Sequence, residues 1–211
     1  MLRLETELQD RGFSLVAGLD EVGRGPLAGP VVAAAVILPA GRRYEGLTDS
    51  KLLNAGQREK WFEQIRETAE AFFISSVSER EIDEINILQA SKKAMELAVR
   101  GLSISPDFLL IDGIVPLASR IPQRCIKKGD RKSLSIAAAS VLAKVTRDRL
   151  MEDFHQQYPQ YNFKKNKGYG TLEHRQALNR FGFCPIHRKS FRGVKEQQAS
   201  GKKTEPSTLF K

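Results

Sequence analysis

Two adjacent carboxylates, Asp20 and Glu21, follow an apolar run at residues 14–19 that is typical of a buried strand. Burying ionised carboxylates costs free energy unless a cation, hydrogen bonds or substrate chemistry offsets the loss of water. The glycine-rich turn that follows, residues 22–26, lets a bulky anionic partner approach the backbone closely. The pairing indicates a metal-dependent site that acts on phosphates.

Two further carboxylates lie where a sheet edge would place them. Asp112 ends a predicted strand, and Asp130 precedes a long predicted helix. In an α/β sheet, strand ends and helix starts gather at one edge, where ligands bind. Four carboxylates there repel one another, and hard divalent cations with oxygen ligands relieve that repulsion. Two such ions about 3.5–4 Å apart activate a water and stabilise the leaving oxygen in phosphodiester cleavage.

Each of these carboxylates also has a purely structural interpretation. Asp130, three residues before Ser133, fits a helix cap. Asp112 before Gly113 fits a common turn. The case for a site therefore depends on their combination with the acidic pair after the first strand.

The other residues capable of chemistry have no recognisable spacing. The three histidines are far apart in the sequence, at His155, His174 and His187. Their spacing therefore predicts no zinc site. Cys125 and Cys184 form neither a close pair nor a metal-ligand spacing. We expect a reduced protein.

The elements that must position the carboxylates alternate between strands and helices. The predicted strands cover residues 15–19, 31–38, 71–77, 106–113 and 123–127. The predicted helices cover residues 54–69, 86–99, 133–154 and 171–181, with a short helical turn at 79–84 and an irregular segment at 158–170. Three successive strands at the start favour an antiparallel meander joined to later parallel strands. The sequence thus predicts an α/β fold with a mixed sheet flanked by helices and a small helical C-terminal part.

Length and composition favour one globular domain with a small appendage. The chain has 211 residues, no apolar run approaches the roughly 20 residues that span a bilayer, and its start lacks the pattern of a secretory signal. We expect a cytoplasmic monomer. Its predicted parts are a catalytic domain (1–155), a helical substrate-reading segment (156–195) and a disordered basic tail (196–211).

The positive charge is confined to the C-terminal quarter. Residues 1–160 hold 22 basic and 22 acidic residues, whereas residues 161–211 hold 12 and 3, which accounts for the net charge of +9. A one-sided basic segment attracts polyanions, of which nucleic acid is the commonest in the cytoplasm. For the last dozen residues, a solubilising tail explains the charge equally well.

Six motifs, in a fixed order, resemble bacterial type 2 ribonuclease H, the ribonuclease HII family. They are GLDEVGRGPLAGP at residues 18–30, DSKL at 49–52, LIDG at 110–113, KGD at 128–130, SIAAASVLAKVTRD at 135–148 and GYGT at 168–171. The resemblance covers about residues 14–185.

The resemblance implies a ribonuclease H-like fold with a mixed five-stranded sheet, and a metal-dependent endonuclease that cuts the RNA strand of RNA–DNA hybrids. It also implies incision 5′ of single ribonucleotides in duplex DNA, as in ribonucleotide excision repair, leaving 3′-hydroxyl and 5′-phosphate ends. By match, the catalytic carboxylates that bind two Mg²⁺ or Mn²⁺ ions are Asp20, Glu21, Asp112 and Asp130.

The resemblance also assigns substrate contacts. Gly23, Arg24 and Gly25 match the turn that meets the ribose 2′-hydroxyl, and Tyr169 matches the tyrosine that reads the RNA-to-DNA junction. A 2′-hydroxyl is donor and acceptor, and a tyrosine offers an apolar ring with a polar tip. Lys51 matches an active-site lysine near the scissile phosphate.

Basic residues near the C-terminus extend this interpretation. We expect phosphate contacts from Lys164, Lys165 and Lys167, with Arg188, Lys189 and Arg192 extending the same surface. The family often has a small residue where this chain has Arg131, which adds charge beside Asp130. The tail is a candidate contact for a sliding clamp.

Two rival functions stay open. A DNA-only nuclease or resolvase on a related fold would cut all-DNA duplexes as well as ribonucleotide-containing ones. A non-catalytic nucleic-acid binder would use the acidic cluster to hold a structural cation, and would give no Mg²⁺-dependent product.

Overall fold

A mixed sheet of five strands forms the centre of the computed structural model, which describes residues 3–196. The strands are β1 (Val16–Val22), β2 (Val31–Ile37), β3 (Ala71–Val77), β4 (Phe108–Asp112) and β5 (Gln123–Ile126). Their order is β3-β2-β1-β4-β5, with β2 antiparallel to β1, and β4 and β5 parallel. The predicted mixed five-stranded sheet flanked by helices is confirmed.

Six α-helices accompany the sheet in the described part of the chain. They are α1 (Arg3–Gln9), α2 (Ala55–Thr68), α3 (Glu79–Arg100), α4 (Leu134–Gln157), α5 (Phe163–Asn166) and α6 (Leu172–Phe181). Asn54 caps α2 through a reciprocal capping box with Gln57. Asn86, with φ of +66°, interrupts α3, which explains why the sequence predicts a turn and a separate helix there. The sequence did not predict α1.

The sequence placed the end of β1 too early. β1 continues through Asp20 and Glu21 to Val22, and these carboxylates pair with Ala34 and Ala33 of β2. The backbone ladder continues because β2 supplies partners along its whole length, although the side chains have become acidic. The two carboxylates therefore lie on opposite faces of a strand, and not beyond its end.

Close packing of α4 on β1 requires a glycine at position 18. A Cβ atom on Gly18 would lie 2.1 Å from the backbone carbon of Ser135. The second residue of α4 thus contacts the strand backbone directly. This contact fixes the start of α4 beside the strand that carries the acidic pair.

The chain divides into two compact units. Among described residues, unit 1 contains residues 3–22, 32–76 and 91–145, and unit 2 contains residues 23–31, 77–90 and 146–196. One apolar cluster of unit 1 contains Leu8, Val16, Phe108, Leu110, Ile126 and Ile136. Unit 2 has its own core, which includes the fully buried Tyr161 and Phe163. The predicted boundaries at residues 155 and 195 stay predictions, and residues 197–211 of the predicted tail lie outside the described chain.

A bilayer-spanning segment is not found among residues 3–196, because none of their helices combines the necessary length with an apolar composition.

Candidate active site

Neighbouring strands of unit 1 bring two of the predicted carboxylates together. Leu19 of β1 pairs with Ile111 of β4, so Asp20 and Asp112 come next along parallel neighbours. Asp130 lies in a short 3-10 turn, Gly129–Arg131, that follows β5. The main-chain N–H of Gly129 donates to Asp112 Oδ1 at 2.6 Å, which ties that turn to the end of β4.

Asp20 is buried in a strongly unfavourable environment for a charge. Its side chain is 7% exposed. Burial raises the pKa of Asp20 well above its usual value, and the charges of Glu21 and Asp112 raise it further. Hydrogen bonds from the Ser140 hydroxyl and from the Glu21 N–H, the latter at 2.8 Å, act in the opposite direction but are the smaller causes.

Asp130 shares this environment and does not cap α4. Burial raises its pKa, and the charges of Asp49 and Asp112 add to the effect, while Lys51 opposes it. At the start of α4, the N–H of Ile136 donates to Ser133 Oγ at 3.2 Å. The capping interpretation of Asp130 is therefore replaced by one in which it interacts electrostatically with Asp112.

The donor set suits a hard divalent cation, although it is not preassembled. Asp20, Glu21, Asp112 and Asp130 offer only oxygen ligands, which Mg²⁺ and Mn²⁺ prefer. Within residues 3–196, no three Asp, Glu, His or Cys side chains already converge as a metal-binding group. Burial, and after it the charges of Glu21 and Asp112, raise the pKa of Asp20, so a cation placed among these carboxylates would be favourable. The residues fit a divalent metal ion whose remaining coordination positions would be filled by water and substrate oxygens.

Arg131 does more than add charge beside Asp130. Its Nε and Nη2 atoms donate to Asp49 Oδ2 at 3.1 and 3.0 Å, and Asp49 is 1% exposed. The Lys51 N–H donates to Asp49 Oδ1 at 2.9 Å, and Lys51 Nζ lies 3.9 Å from Asp130 Oδ2. Burial acts to raise the pKa of Asp49, but the Lys51 N–H and the Arg131 guanidinium together hold it below its usual value. Asp49 thus anchors two basic residues.

The predicted substrate turn lies in unit 2, and its two glycines have different roles. Gly23 has φ of +95°, and a Cβ atom there would lie 2.3 Å from Arg147 Nε. Gly25 faces open space, with Tyr169 Cε1 the one atom near its missing Cβ, at 3.7 Å. Arg24 between them is exposed. The missing side chain of Gly23 therefore leaves room for the buried Arg147 side chain, whereas the missing side chain of Gly25 leaves the backbone open to a binding partner.

Tyr169 is 44% exposed on a backbone fixed by a buried histidine pair. His174 Nδ1 lies 2.9 Å from the Tyr169 carbonyl oxygen, and His174 Nε2 lies 2.9 Å from His187 Nε2. Because the carbonyl only accepts, His174 carries its proton on Nδ1 and accepts on Nε2 from His187. His187 Nδ1 then accepts from the Cys184 N–H at 3.0 Å.

Both histidines of this pair are neutral. Burial lowers the pKa of His174, and burial with the neighbouring His174 lowers that of His187 to about 3. The fold thus joins two histidines that the sequence left apart, in a hydrogen-bonded chain and not in a metal site.

The basic residues expected to contact phosphates separate into two groups. Lys164, Lys165, Lys189 and Arg192 are exposed, as that role requires. Lys167 instead pairs with Glu152, Nζ to Oε1 at 2.7 Å. Arg188 is fully buried and donates to backbone carbonyls, so its assignment to an exposed surface was wrong. Its charge alone does not show whether the fold encloses an arginine.

Sequence reasoning gave no role to Asp49, Ser140 and Arg147. All three belong to the motifs DSKL and SIAAASVLAKVTRD, and that membership was the available signal.

Comparisons with known proteins agree on one family. The Ribonuclease HII family model matches residues 17–194. The chain is 56% identical over 192 residues to the Ribonuclease HII of Syntrophus aciditrophicus, covering 91% of each. It is also 56% identical over 204 residues to the Ribonuclease HII of Syntrophobacter fumaroxidans, covering 97% of this chain and 88% of that protein.

Solved structures share the fold. The ribonuclease H2 of Pyrococcus horikoshii matches with a TM-score of 0.75 and 29% identity, over 88% of this chain and 97% of that one. The RNase HII of Archaeoglobus fulgidus, solved in a complex with PCNA, matches with a TM-score of 0.71 and 26% identity. The match covers 84% of this chain and 95% of that one. Bst-RNase HIII in complex with Mn²⁺ shares the fold at 19% identity, with a TM-score of 0.65, over 90% and 71%.

Proposed function

This chain belongs to the ribonuclease HII family and is an endonuclease of RNA–DNA hybrids, and we propose that it needs divalent metal ions and also incises single ribonucleotides in duplex DNA. The cut is made 5′ of the ribonucleotide and leaves 3′-hydroxyl and 5′-phosphate ends. This activity fits a role in ribonucleotide excision repair.

The buried carboxylate of Asp20 carries the metal proposal. Its environment raises the pKa through burial, Glu21 and Asp112, so a divalent counterion held there removes an existing electrostatic penalty. Asp20, Glu21, Asp112 and Asp130 are the proposed ligands, for Mg²⁺ or Mn²⁺. The chemistry that two such ions supply is a lowered pKa for the attacking water and charge compensation at the leaving oxygen.

The protein's own residues orient the phosphate and the ribose. Lys51, 77% exposed, is the proposed contact of the scissile phosphate. The exposed backbone at Arg24 and Gly25, together with Gly23, is proposed to meet the 2′-hydroxyl, which distinguishes RNA from DNA. Tyr169 is proposed to place its hydroxyl at the 2′-oxygen and its ring against the next sugar. A Cβ atom on Gly25 would lie 3.7 Å from Tyr169 Cε1, which supports a shared surface for the turn and the tyrosine.

Location and partners complete the proposal. We place the enzyme in the cytoplasm as a monomer. A sliding-clamp contact through residues 196–211 is proposed because the related RNase HII of Archaeoglobus fulgidus was solved in a complex with PCNA.

Cleavage of an end-labelled duplex with one ribonucleotide tests the function. We expect one product with Mg²⁺ or Mn²⁺, none with EDTA, and none from the all-DNA duplex. Cutting of the all-DNA duplex would favour the DNA-nuclease alternative, and binding without a metal-dependent product would favour the non-catalytic one.

A matched pair of variants, at the last residue of β4 and at the residue just before β4, tests the carboxylate assignment. Asp112→Asn should abolish cleavage while hybrid binding persists. Asp107→Asn is the control, since Asp107 accepts from the backbone N–H groups of Ser14 and Leu15, an acceptor role that an amide oxygen retains. Full activity in Asp112→Asn would remove that residue from the site.

A further inference from the structure

Two arginines are completely buried in unit 2 with main-chain oxygens as their hydrogen-bond partners. Arg147 and Arg188 are both 0% exposed. Arg147 donates three hydrogen bonds and Arg188 four, and all seven end on backbone carbonyl oxygens. Six of these bonds end on carbonyls within residues 23–30, the proposed substrate turn and its continuation.

Arg188 holds the reading end of that turn. Its Nη1 donates to the Arg24 carbonyl at 3.0 Å, and its Nη2 donates to the Gly23 carbonyl. Its Nε donates to the Gly29 carbonyl at 3.0 Å. Since these carbonyls are engaged by a buried side chain, the peptide units at positions 23 and 24 have one fixed orientation.

Arg147 connects the turn to the loop that carries the tyrosine. It donates to the carbonyls of Pro30 at 3.0 Å and Ala28 at 3.1 Å, and also to that of Lys167 at 2.9 Å. Lys167 lies two residues before Tyr169. The Arg147 side chain also fills the space that a Cβ on Gly23 would need.

This arrangement is electrostatically demanding. Burial lowers the pKa of Arg147 to about 10 and, with the charge of Arg147 nearby, that of Arg188 to about 9. Two like charges enclosed together are tolerated because a guanidinium presents five donors in a rigid fork, and carbonyl dipoles satisfy them. A lysine has the same charge but cannot reproduce this pattern of donors. An arginine-to-lysine substitution therefore separates the effect of the charge from that of the hydrogen-bond geometry.

We propose that Arg147 and Arg188 are positioning residues that set the ribose selectivity of the enzyme, by fixing the turn at Gly23–Gly25 and its spacing from Tyr169. The inference rests on the proposed reading of the 2′-hydroxyl by that turn. Neither arginine touches the substrate, because neither has exposed surface.

Arg188→Lys and Arg147→Lys test the inference, because each keeps the charge and loses the fork. The probes are one duplex with a single ribonucleotide, the same duplex with 2′-fluoro at that position, and the all-DNA duplex. Cleavage rates are measured with Mn²⁺, and binding by fluorescence anisotropy in EDTA. A displaced turn loses hydrogen bonds that only the 2′-hydroxyl makes, so we expect the ribose-to-fluoro ratio of kcat/KM to fall at least about tenfold.

Leu178→Ala is the matched control for instability. Leu178 is 1% exposed in the core of the same unit, and its truncation should lower the unfolding temperature without changing the selectivity ratio. All variants are assayed below their unfolding transitions, and the two lysine variants give independent readings.

Equal losses on the ribose and fluoro duplexes would overturn the positioning role while leaving the proposed function intact. A wild-type enzyme that neither binds nor cuts the ribonucleotide duplex in preference to the all-DNA duplex would overturn both. A lower ratio in the lysine variants, with Leu178→Ala unchanged, supports the inference.

Discussion

Unit 1 and unit 2 bury charge in opposite ways. In unit 1, the carboxylate of Asp20 is enclosed with neighbours of its own sign, and its pKa is raised by burial, Glu21 and Asp112. In unit 2, the guanidinium groups of Arg147 and Arg188 are enclosed with carbonyl oxygens that satisfy their donors. In unit 1 the charge of Asp20 lies among like charges, whereas in unit 2 the chain itself satisfies the donors of both buried arginines.

The difference separates two requirements of a nucleic-acid enzyme. A site that must take up cations gains from carboxylates whose repulsion the cations relieve. A surface that must distinguish a hydroxyl from a hydrogen gains from a backbone that does not move. We therefore expect removal of the Asp20 charge and removal of the Arg188 charge to have opposite effects on stability.

Asp20→Asn should have the largest effect on activity. The amide loses the anionic ligand, so the cleavage rate should fall at least about a thousandfold, or about 4 kcal/mol in activation free energy. The same change removes a buried charge from among like charges, so the metal-free protein should be as stable as wild type or more stable. Single-turnover cleavage and urea unfolding measure the two quantities. A marked loss of stability would show that Asp20 is compensated within the fold, and the contrast would fail.

Arg188→Gln should have the largest effect on stability. This side chain donates four hydrogen bonds to backbone carbonyls, and each buried carbonyl oxygen left without a donor costs about 1–3 kcal/mol. Urea unfolding at neutral pH gives the value directly. The control is Lys189→Gln, a substitution at the exposed neighbouring residue, which should change the free energy of unfolding by no more than about 0.5 kcal/mol. Stability equal to wild type in Arg188→Gln would contradict the proposed compensation.

His187 of unit 2 and Asp20 of unit 1 should also make contributions to stability that depend on pH with opposite signs. His187 has a folded pKa of about 3 against 6.5 unfolded, so the unfolded chain alone takes up its proton below pH 6.5. The free energy of unfolding should then fall as pH drops from 6.5 towards 3, by up to about 1.4 kcal/mol per pH unit. Asp20 has a raised folded pKa, so its contribution falls as pH rises above 3.8.

Urea midpoints of the metal-free protein between pH 4 and pH 8 separate these contributions. His187→Asn should flatten the decline of stability towards acid pH, and Asp20→Asn should reduce the loss of stability as the pH rises, to which Asp130 also contributes. If His187→Asn keeps the wild-type slope between pH 6.5 and pH 4, the histidine pair is not the source of acid sensitivity.

Periodic and local features of the fold were predictable from the sequence. β3 was predicted at its observed bounds, and Thr171 and Gly182 enclose α6 as expected. The short helix α1 was missed because seven residues give too little periodic signal. The end of β1 was misplaced because ladder partners on β2, which the strand's own sequence does not show, carry the strand past its apolar residues.

The site was predictable where charge and position in the chain are informative. Asp20 and Asp112 stood out as carboxylates beside apolar strands. Arg147 and Arg188 did not, because their partners lie between 20 and 165 residues away along the chain. An arginine's sequence neighbourhood does not reveal whether it will contact solvent or carbonyl oxygens, and that distinction decides its role here.

Arg131 gives the smallest and most specific test, because it compensates charge in unit 1 only partly. Its guanidinium binds buried Asp49 but is itself half exposed. Removing it in Arg131→Ala takes a cation away from beside Asp130, so Mn²⁺ should bind about two- to fivefold more tightly, within about 1 kcal/mol because solvent screens the pair. Calorimetric titration with Mn²⁺ at low salt measures the change. At about 1 M salt, where the Debye length is about 3 Å, the difference should largely disappear.

Arg131→Lys keeps the charge and should bind Mn²⁺ like wild type. Weaker binding in Arg131→Ala would mean that the arginine acts by holding the Asp49 loop in place. Unit 1 would then resemble unit 2, where arginines fix the position of the backbone.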